Sequence, residues 1–266
     1  MNPLKAPLNE AEIRQAVSAI KRDAGLDDSA WFETISLDES DRFPEQRCVY
    51  VCCYEPASNR TLAGLVVLET DSLHDWHHIE GVQARIVPDE FAMACELARQ
   101  DQNFLKALKK RGLDDASKVL VESWSAGNFG NPEEQDHRIA YGHCWLMNDA
   151  GDNPYARPIA NLHPVFDLAK REIIRIDDFG VVPIPPDPGP IRRLQQRDDL
   201  TGISITQPEG PSFEVDGYQI KWHDWELQVG FAQRDGLVLY DIGINDKGRL
   251  RPIMKRASMA EMVVPY

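Results

Sequence analysis

The stretch WHDWELQVGFAQRDGLVLYDI, residues 222–242, decides the reading of the C-terminal quarter of the chain. Trp225 to Tyr240, WELQVGFAQRDGLVLY, reads as a β-hairpin. On either side, ISITQPEGPSF (203–213) and RLRPIMKRASMAEMVVPY (249–266) read as further hairpins. Isolated ribbons are marginal in water and need partner strands to bury their apolar faces. Residues 203–266 are therefore expected to open a large β-structure that does not close before the sequence reaches Pro265-Tyr266.

Working upstream, VVPIPPDPGPIRR at 181–193 holds Pro183, Pro185, Pro186, Pro188 and Pro190. Prolines at this density remove backbone donors and lock φ, which favours an extended, semi-rigid connector over a sheet interior. Residues 181–202 are accordingly read as a linker. Before it, one order of elements occurs twice. In LNEAEIRQAVSAIKRDAG, Asn9 is a candidate N-cap with Glu12 three residues on, and Gly25 supplies a stop. Ile13, Ala16, Val17 and Ile20 recur between them at helical spacing, predicting a helix from about residue 9 to 23. Strand-like runs follow at 31–37, 47–54 and 61–68, with the turn Pro-Ala-Ser-Asn at 56–59, giving an α+β unit over 1–86. Pro88 then opens a second helical segment, and Asp101 caps DQNFLKALKKRG. Strand-like runs at 118–123, 138–147, 164–168 and 172–176 complete a second α+β unit over 87–180. The halves share no residue-level identity, so the recurrence is one of architecture.

Composition narrows the classes of partner. Hydrophobic residues make up 42% and charged residues 27%, the balance of an ordinary globular protein. With 29 basic against 43 acidic residues the formal charge is −14, so no global field draws in nucleic acid or anionic lipid. The N-terminus MNPLKAPLNEAEIRQ has no continuous apolar segment of signal-peptide type, and no run reaches the ~18 apolar residues of a membrane span. Cys48, Cys52, Cys53, Cys95 and Cys144 form an odd set without C-x-x-C spacing, expected as buried thiols in a reducing, cytoplasmic setting. Cys52 and Cys53 are adjacent in a β-like run and should point to opposite faces.

Motifs that would carry chemistry are sparse. The cluster HDWHH offers His74, His77 and His78, and strand alternation would set His74 and His78 on one face with His77 on the other. Such a split does not converge on a metal, and a solvated or aromatic-packed strand is the better expectation. There is no H-E-x-x-H, glycine-rich phosphate loop or G-x-S-x-G. WSAGNFG at 124–130 is turn-like, with Gly127 and Gly130 permitting unusual backbone angles. The pairs Asp177-Asp178 and Asp198-Asp199 are adjacent carboxylates whose side chains diverge, not a general acid/base pair.

TQPEGPSF (206–213), WELQVGFAQRDGLVLY (225–240) and RASMAEMVVPY (256–266), in that order and spacing, resemble the entry to the catalytic domain of the copper- and quinone-dependent amine oxidases. WSAGNFG, NPYARPIANLHPVFDLAKREIIRIDDFGVVPIPP and the opening helix are similar to the two small α+β domains that precede it, so the resemblance covers nearly the whole chain. It implies two cystatin-like helix-plus-antiparallel-sheet domains, then the first strands of a large β-sandwich. The implied reaction is oxidative deamination of primary amines by a homodimer, using copper, a tyrosine-derived topaquinone and dioxygen, with aldehyde, ammonia and hydrogen peroxide released.

The same resemblance implies that this part of such an enzyme is inert alone. The family's cofactor tyrosine lies in Asn-Tyr-Asp or Asn-Tyr-Glu, and none of the seven tyrosines here follows an asparagine. The His-x-His of the copper ligands is absent, and the catalytic base belongs to a motif beyond Tyr266. YDIG at 240–243 does not replace it, Asp241 being expected as a strand or turn residue. No catalytic residue, metal ligand or bound cofactor is thus expected in this chain. What carries over is the amine channel: Tyr155 of NPYARPI falls in the gate region, and Trp124 of SWSAG in the neighbouring loop. The competing expectation is a free-standing binding or dimerisation module with no catalytic role.

Overall fold

The computed structural model of the 266-residue chain describes all residues except 1, 41, 128, 150, 151, 154, 188, 190–197 and 260–266. It divides into two compact units, one formed by Met1–Glu80 with Gly202–Tyr266 and the other by Gly81–Thr201.

The first unit begins with helix α1 (Glu10–Ala24). Asn9 Oδ1 accepts from Glu12 N at 3.0 Å and Glu12 Oε2 accepts from Asn9 N at 2.9 Å, so the expected reciprocal cap forms. Gly25 ends the helix at φ +68°, a conformation that costs a residue with a Cβ. Ala16, Ala19 and Ile20 are wholly buried against an antiparallel sheet ordered β1 (Trp31–Leu37), β2 (Cys48–Glu55), β3 (Arg60–Val67), β4 (Ser72–His78). Burial of the Ile20 side chain alone contributes about 1.5–3 kcal/mol. Arg47, just before β2, reaches back to the helix start. Its Nε and Nη2 bind the Glu12 carboxylate at 2.5 and 3.0 Å, and its Nη atoms donate to the carbonyls of Pro3, Ala6 and Pro7.

Val49, Val51 and Cys53 of β2 are in the core against α1, while Cys48, Cys52 and Tyr54 are buried on the opposite face. Cys52 and Cys53 therefore diverge as alternation requires. All five cysteines are free thiols, and burial pushes Cys53 up to about 12. The histidine strand departs from simple alternation. Asp75 adopts φ +52° and the register shifts opposite Gly64, so that His74 pairs with Leu65, His77 with Ala63 and His78 with Leu62. His74 and His77 consequently share one face and His78 lies on the other, correcting the split expected from the sequence. The cause is a bulge, one extra residue that inverts the side-chain parity beyond it. Among the described residues no three His, Cys, Asp or Glu side chains are grouped to hold a metal ion.

The C-terminal residues of the same unit form an antiparallel meander, β9 (Phe213–Asp216), β10 (Gln219–Trp222), β11 (Trp225–Ala232), β12 (Gly236–Asp246) and β13 (Arg249–Ser258). The 225–240 hairpin thus forms as expected, within a longer sheet. Gly230 is required by packing, since a Cβ there would lie 2.4 Å from the Tyr240 ring. Gln228, buried on β11, exchanges hydrogen bonds with the backbone of Asn2 at 2.8 and 3.1 Å, and Arg256 on β13 binds Glu39 and Asp235, each at 2.6 Å. Asp241 is an exposed residue of β12 with φ +49°, next to a register shift, which agrees with a strand role.

The second unit repeats the first one's plan. Helices α2 (Pro88–Gln100) and α3 (Gln102–Lys110) pack on a four-stranded antiparallel sheet, β5 (Val119–Ser125), β6 (Ile139–Leu146), β7 (Leu162–Asp167), β8 (Glu172–Asp178). Asp101 Oδ1 caps α3 by accepting from Asn103 N and Phe104 N at 2.9 and 2.8 Å. Phe104, Leu108, Val119, Ala140, Leu162 and Phe166 form the centre of its core. Arg138, 2% exposed, inserts beside α2 and forms a two-pronged pair with Glu90, Nε to Oε1 at 2.6 Å and Nη2 to Oε2 at 2.8 Å. It also donates to the carbonyls of Ala84 at 2.7 Å and Arg85 at 3.0 Å, tying the segment that leads into α2 to the start of β6. Both units are thus α+β with antiparallel sheets. Part of the 181–202 linker, including Pro188 and Pro190, lies outside the described residues.

Candidate functional site

The core-facing residues of β5 and β6 leave the opposite face of the second sheet to Glu122 and Trp124 on β5 and to Tyr141, His143 and Trp145 on β6. Cross-strand register sets Trp124 opposite Tyr141, Glu122 opposite His143 and Leu120 opposite Trp145. Directly opposed residues share a face, so the period-two spacing Glu-x-Trp on one strand meets Tyr-x-His-x-Trp on the next. Tyr155 arrives from the β6–β7 connection and completes the group.

Glu122 is the junction. Tyr155 Oη donates to Glu122 Oε1 at 2.9 Å, and Trp124 Nε1 approaches Glu122 Oε2 at 3.4 Å. The Tyr155 ring stands at 89° to that of Trp145 with centroids 5.4 Å apart, and Trp124 stands at 75° to His143 at 5.6 Å. His143 lies 6.0 Å from Trp145 and 5.2 Å from His163, edge to face with the latter. Trp124 and Tyr155 remain 56% and 58% exposed, so their rings are held by this network and not by a surrounding core. The two channel candidates named from sequence are therefore brought together, linked by a carboxylate that the sequence reading passed over. The Glu-x-Trp and His-x-Trp spacings were the available signal.

Electrostatics follow from the same contacts. The hydrogen bond to Glu122 raises the Tyr155 hydroxyl above its ordinary value. Burial lowers His143, and the neighbouring His163 adds to that, while Glu122 opposes it. His143 is thereby kept neutral at pH 7. Beside it, Arg175 donates to Glu134 at 2.6 Å, to Tyr141 Oη at 2.9 Å and to Asp177 at 3.0 Å. Burial opposes ionisation of Glu134, yet hydrogen bonds from Tyr141 and Arg175 outweigh it and lower the carboxyl. Asp177 and Asp178 diverge as expected, Asp177 to Arg175 and Asp178 to Arg111 at 2.7 Å. Gly127 and Gly130, at φ +70° and +75°, turn the chain after β5.

The arrangement offers aromatic faces around one carboxylate and contains no nucleophile–base pair. Comparison with known proteins extends this picture. Residues 89–190 match the model of the copper amine oxidase N3 domain, and residues 214–266 match that of the copper amine oxidase enzyme domain. The chain is 35% identical over 270 residues to a primary amine oxidase of Arthrobacter sp. (strain P1), covering 98% of the chain and 42% of that protein. It is 34% identical over 274 residues to a histamine oxidase of Arthrobacter globiformis, covering 97% of the chain and 40% of that protein. It therefore spans about two fifths of the length of these relatives. Its fold is similar to that of a copper-containing benzylamine oxidase from Hansenula polymorpha, with TM-score 0.73 and 23% identity over 96% of the chain and 44% of that structure. With both family models matched in order along one chain, and similarity to amine oxidases running through nearly all of it, this chain belongs to the copper amine oxidase family.

Proposed function

We propose that these residues form the amine-access portion of a primary-amine oxidase, an enzyme that converts primary amines and dioxygen to aldehyde, ammonia and hydrogen peroxide. The observation that carries this reading is the match to amine oxidases over 98% of the chain. In it, 1–86 and 87–180 are the two cystatin-like domains, 181–202 the linker and 203–266 the first strands of the β-sandwich. Tyr155 and Trp124 line the amine path, and the intact protein is a cytoplasmic homodimer.

The residues present do not fit copper or topaquinone. No Asn-Tyr or His-x-His occurs in the sequence, and among the described residues no group of three ligating side chains is assembled. The chain's own contribution is positional: β5, β6 and Tyr155 present an aromatic, carboxylate-bearing surface to an incoming amine. Hydrogen peroxide release from benzylamine or methylamine tests the reading in two preparations. The 266-residue chain should release none and should fail to stain for a redox-cycling quinone, whereas a longer protein containing these residues should release peroxide and stain. A quinone-positive 266-residue chain, or an inactive and quinone-free longer one, would overturn it.

A further inference from the structure

We propose that residues 2–8 form a strap that holds the sheet β9–β13 closed within the first unit, with Arg47 as its latch on one side and Gln228 on the other. The strap is pre-shaped. Pro3 and Pro7 fix φ, and the turn Pro3–Lys5 is closed by Asn2, whose Oδ1 accepts from Leu4 N and whose carbonyl accepts from Lys5 N, each at 3.1 Å. At its far end Leu8 packs against the core shared by α1 and the first sheet. On that side Arg47, its side chain 12% exposed, donates to the carbonyls of Pro3 and Ala6 at 2.9 Å and of Pro7 at 3.0 Å while also holding Glu12. Three of its acceptors therefore belong to the strap, and a planar guanidinium fork is the group that can serve them together.

The other side of the strap meets β11 and β12. Gln228, 3% exposed, accepts from Asn2 N at 2.8 Å and donates to Asn2 O at 3.1 Å, so one strap residue completes both ends of a buried amide. Lys5 Nζ stands 6.0 Å from the centroid of the Tyr240 ring, and a Cβ on Gly230 would lie 3.5 Å from Lys5 O. Hydrogen bonds hold this contact more than packing does, because a cleft of about 320 Å³ runs beside it, lined in part by Asn2, Leu4, Lys5, Tyr240, Asp241 and Lys255. Lifting the strap would strip partners from the Gln228 amide and from the Arg47 guanidinium unless water reached both. Release of residues 2–8 and opening of β11 are therefore one event. The Arg47 guanidinium makes no described hydrogen bond to β11, so its hold on that strand passes through the strap.

The test uses the 266-residue chain and two readouts of local opening under native conditions. Trypsin cleavage of the Lys5–Ala6 bond, followed by mass spectrometry, reports release of the strap, and amide hydrogen exchange at Val229 and Gly230 reports opening of β11. Arg47→Lys keeps the charge facing Glu12 and loses the fork. It should speed cleavage at Lys5 at least tenfold and exchange at Val229 and Gly230 by a similar factor, with Val49 and Val51 in the first sheet unchanged. Gln228→Leu, altered on the opposite side, should release the same Lys5–Ala6 bond. Asn2→Pro, which removes the N–H that Gln228 accepts and lies outside both cores, should do so too. Because one element is being opened, Arg47→Lys combined with Gln228→Leu should be cleaved no faster than the more open single variant allows, within a factor of about two. Unchanged β11 exchange in Arg47→Lys, a Lys5–Ala6 bond still protected in Gln228→Leu and Asn2→Pro, or multiplicative effects in the double variant would each overturn the strap. Equal acceleration at Val49 and Val51 would overturn it as well, by showing that Arg47 supports the whole unit.

Discussion

Replacing Glu90 by Gln probes the most deeply buried ion pair among the described residues of the second unit. Glu90 and Arg138 are 1% and 2% exposed, and the pair is closed by two short hydrogen bonds of 2.6 and 2.8 Å. The amide introduced by Glu90→Gln would keep the shape and could still accept one bond from Arg138. It would place an NH2 donor against a guanidinium that has no acceptor, leaving a buried cation without its counter-charge. Removing one partner of a buried pair costs about 3–5 kcal/mol. Because the Ala84 and Arg85 carbonyls continue to accept from Arg138, the lower part of that range, about 3 kcal/mol, is expected. For a unit of this size that corresponds to roughly 10 °C in melting temperature. Urea unfolding followed by near-UV circular dichroism and indole fluorescence would measure it. The double replacement Glu90→Leu with Arg138→Met should recover part of the loss, since it removes both charges together. A destabilisation below about 1 kcal/mol for Glu90→Gln, or a double variant as unstable as the sum of the single ones, would refute the account.

Acid should weaken the fold through specific carboxylates. Hydrogen bonding to Arg47 lowers Glu12, and hydrogen bonding to Arg111 lowers Asp178, so each contributes stability above its unfolded pKa that is lost as pH falls through its lower folded value. The urea midpoint should therefore change little between about pH 7 and 5 and drop below about pH 4, with a shallower drop in Glu12→Gln. A midpoint that rises on acidification to pH 3 would contradict these pairings. Gly142→Ala tests the fit of β6 on β7. Its new Cβ would lie 2.5 Å from Pro164 Cγ, and overpacking of this kind costs about 1–3 kcal/mol, read as a lower urea midpoint with no loss of helix signal. Unchanged stability would show that Pro164 yields without cost.

Local features of the fold were open to reading from the sequence because their physics is local. The Asn9–Glu12 cap, the Gly25 stop and the Asp101 cap each depend on residues within a few positions, and each forms where expected. β1 occupies the anticipated 31–37, and the Trp225–Tyr240 stretch folds back as β11 and β12. The faces of the histidine strand were misassigned because the residue that inverts them, Asp75 at φ +52°, carries no distinctive sequence signature of a bulge.

The candidate site divides along the same line. Trp124 and Tyr155 were named from motifs that stand in the sequence by themselves, as was the family to which the chain belongs. That both rings converge on Glu122, 33 residues from Tyr155, and that Glu90 and Arg138 close on each other across 48 residues, was decided by tertiary structure. The physical reason is range. Caps, turns and side-chain periodicity are set by neighbours along the chain, whereas a carboxylate's partner depends on strand register and loop closure, which only the packed sheet determines.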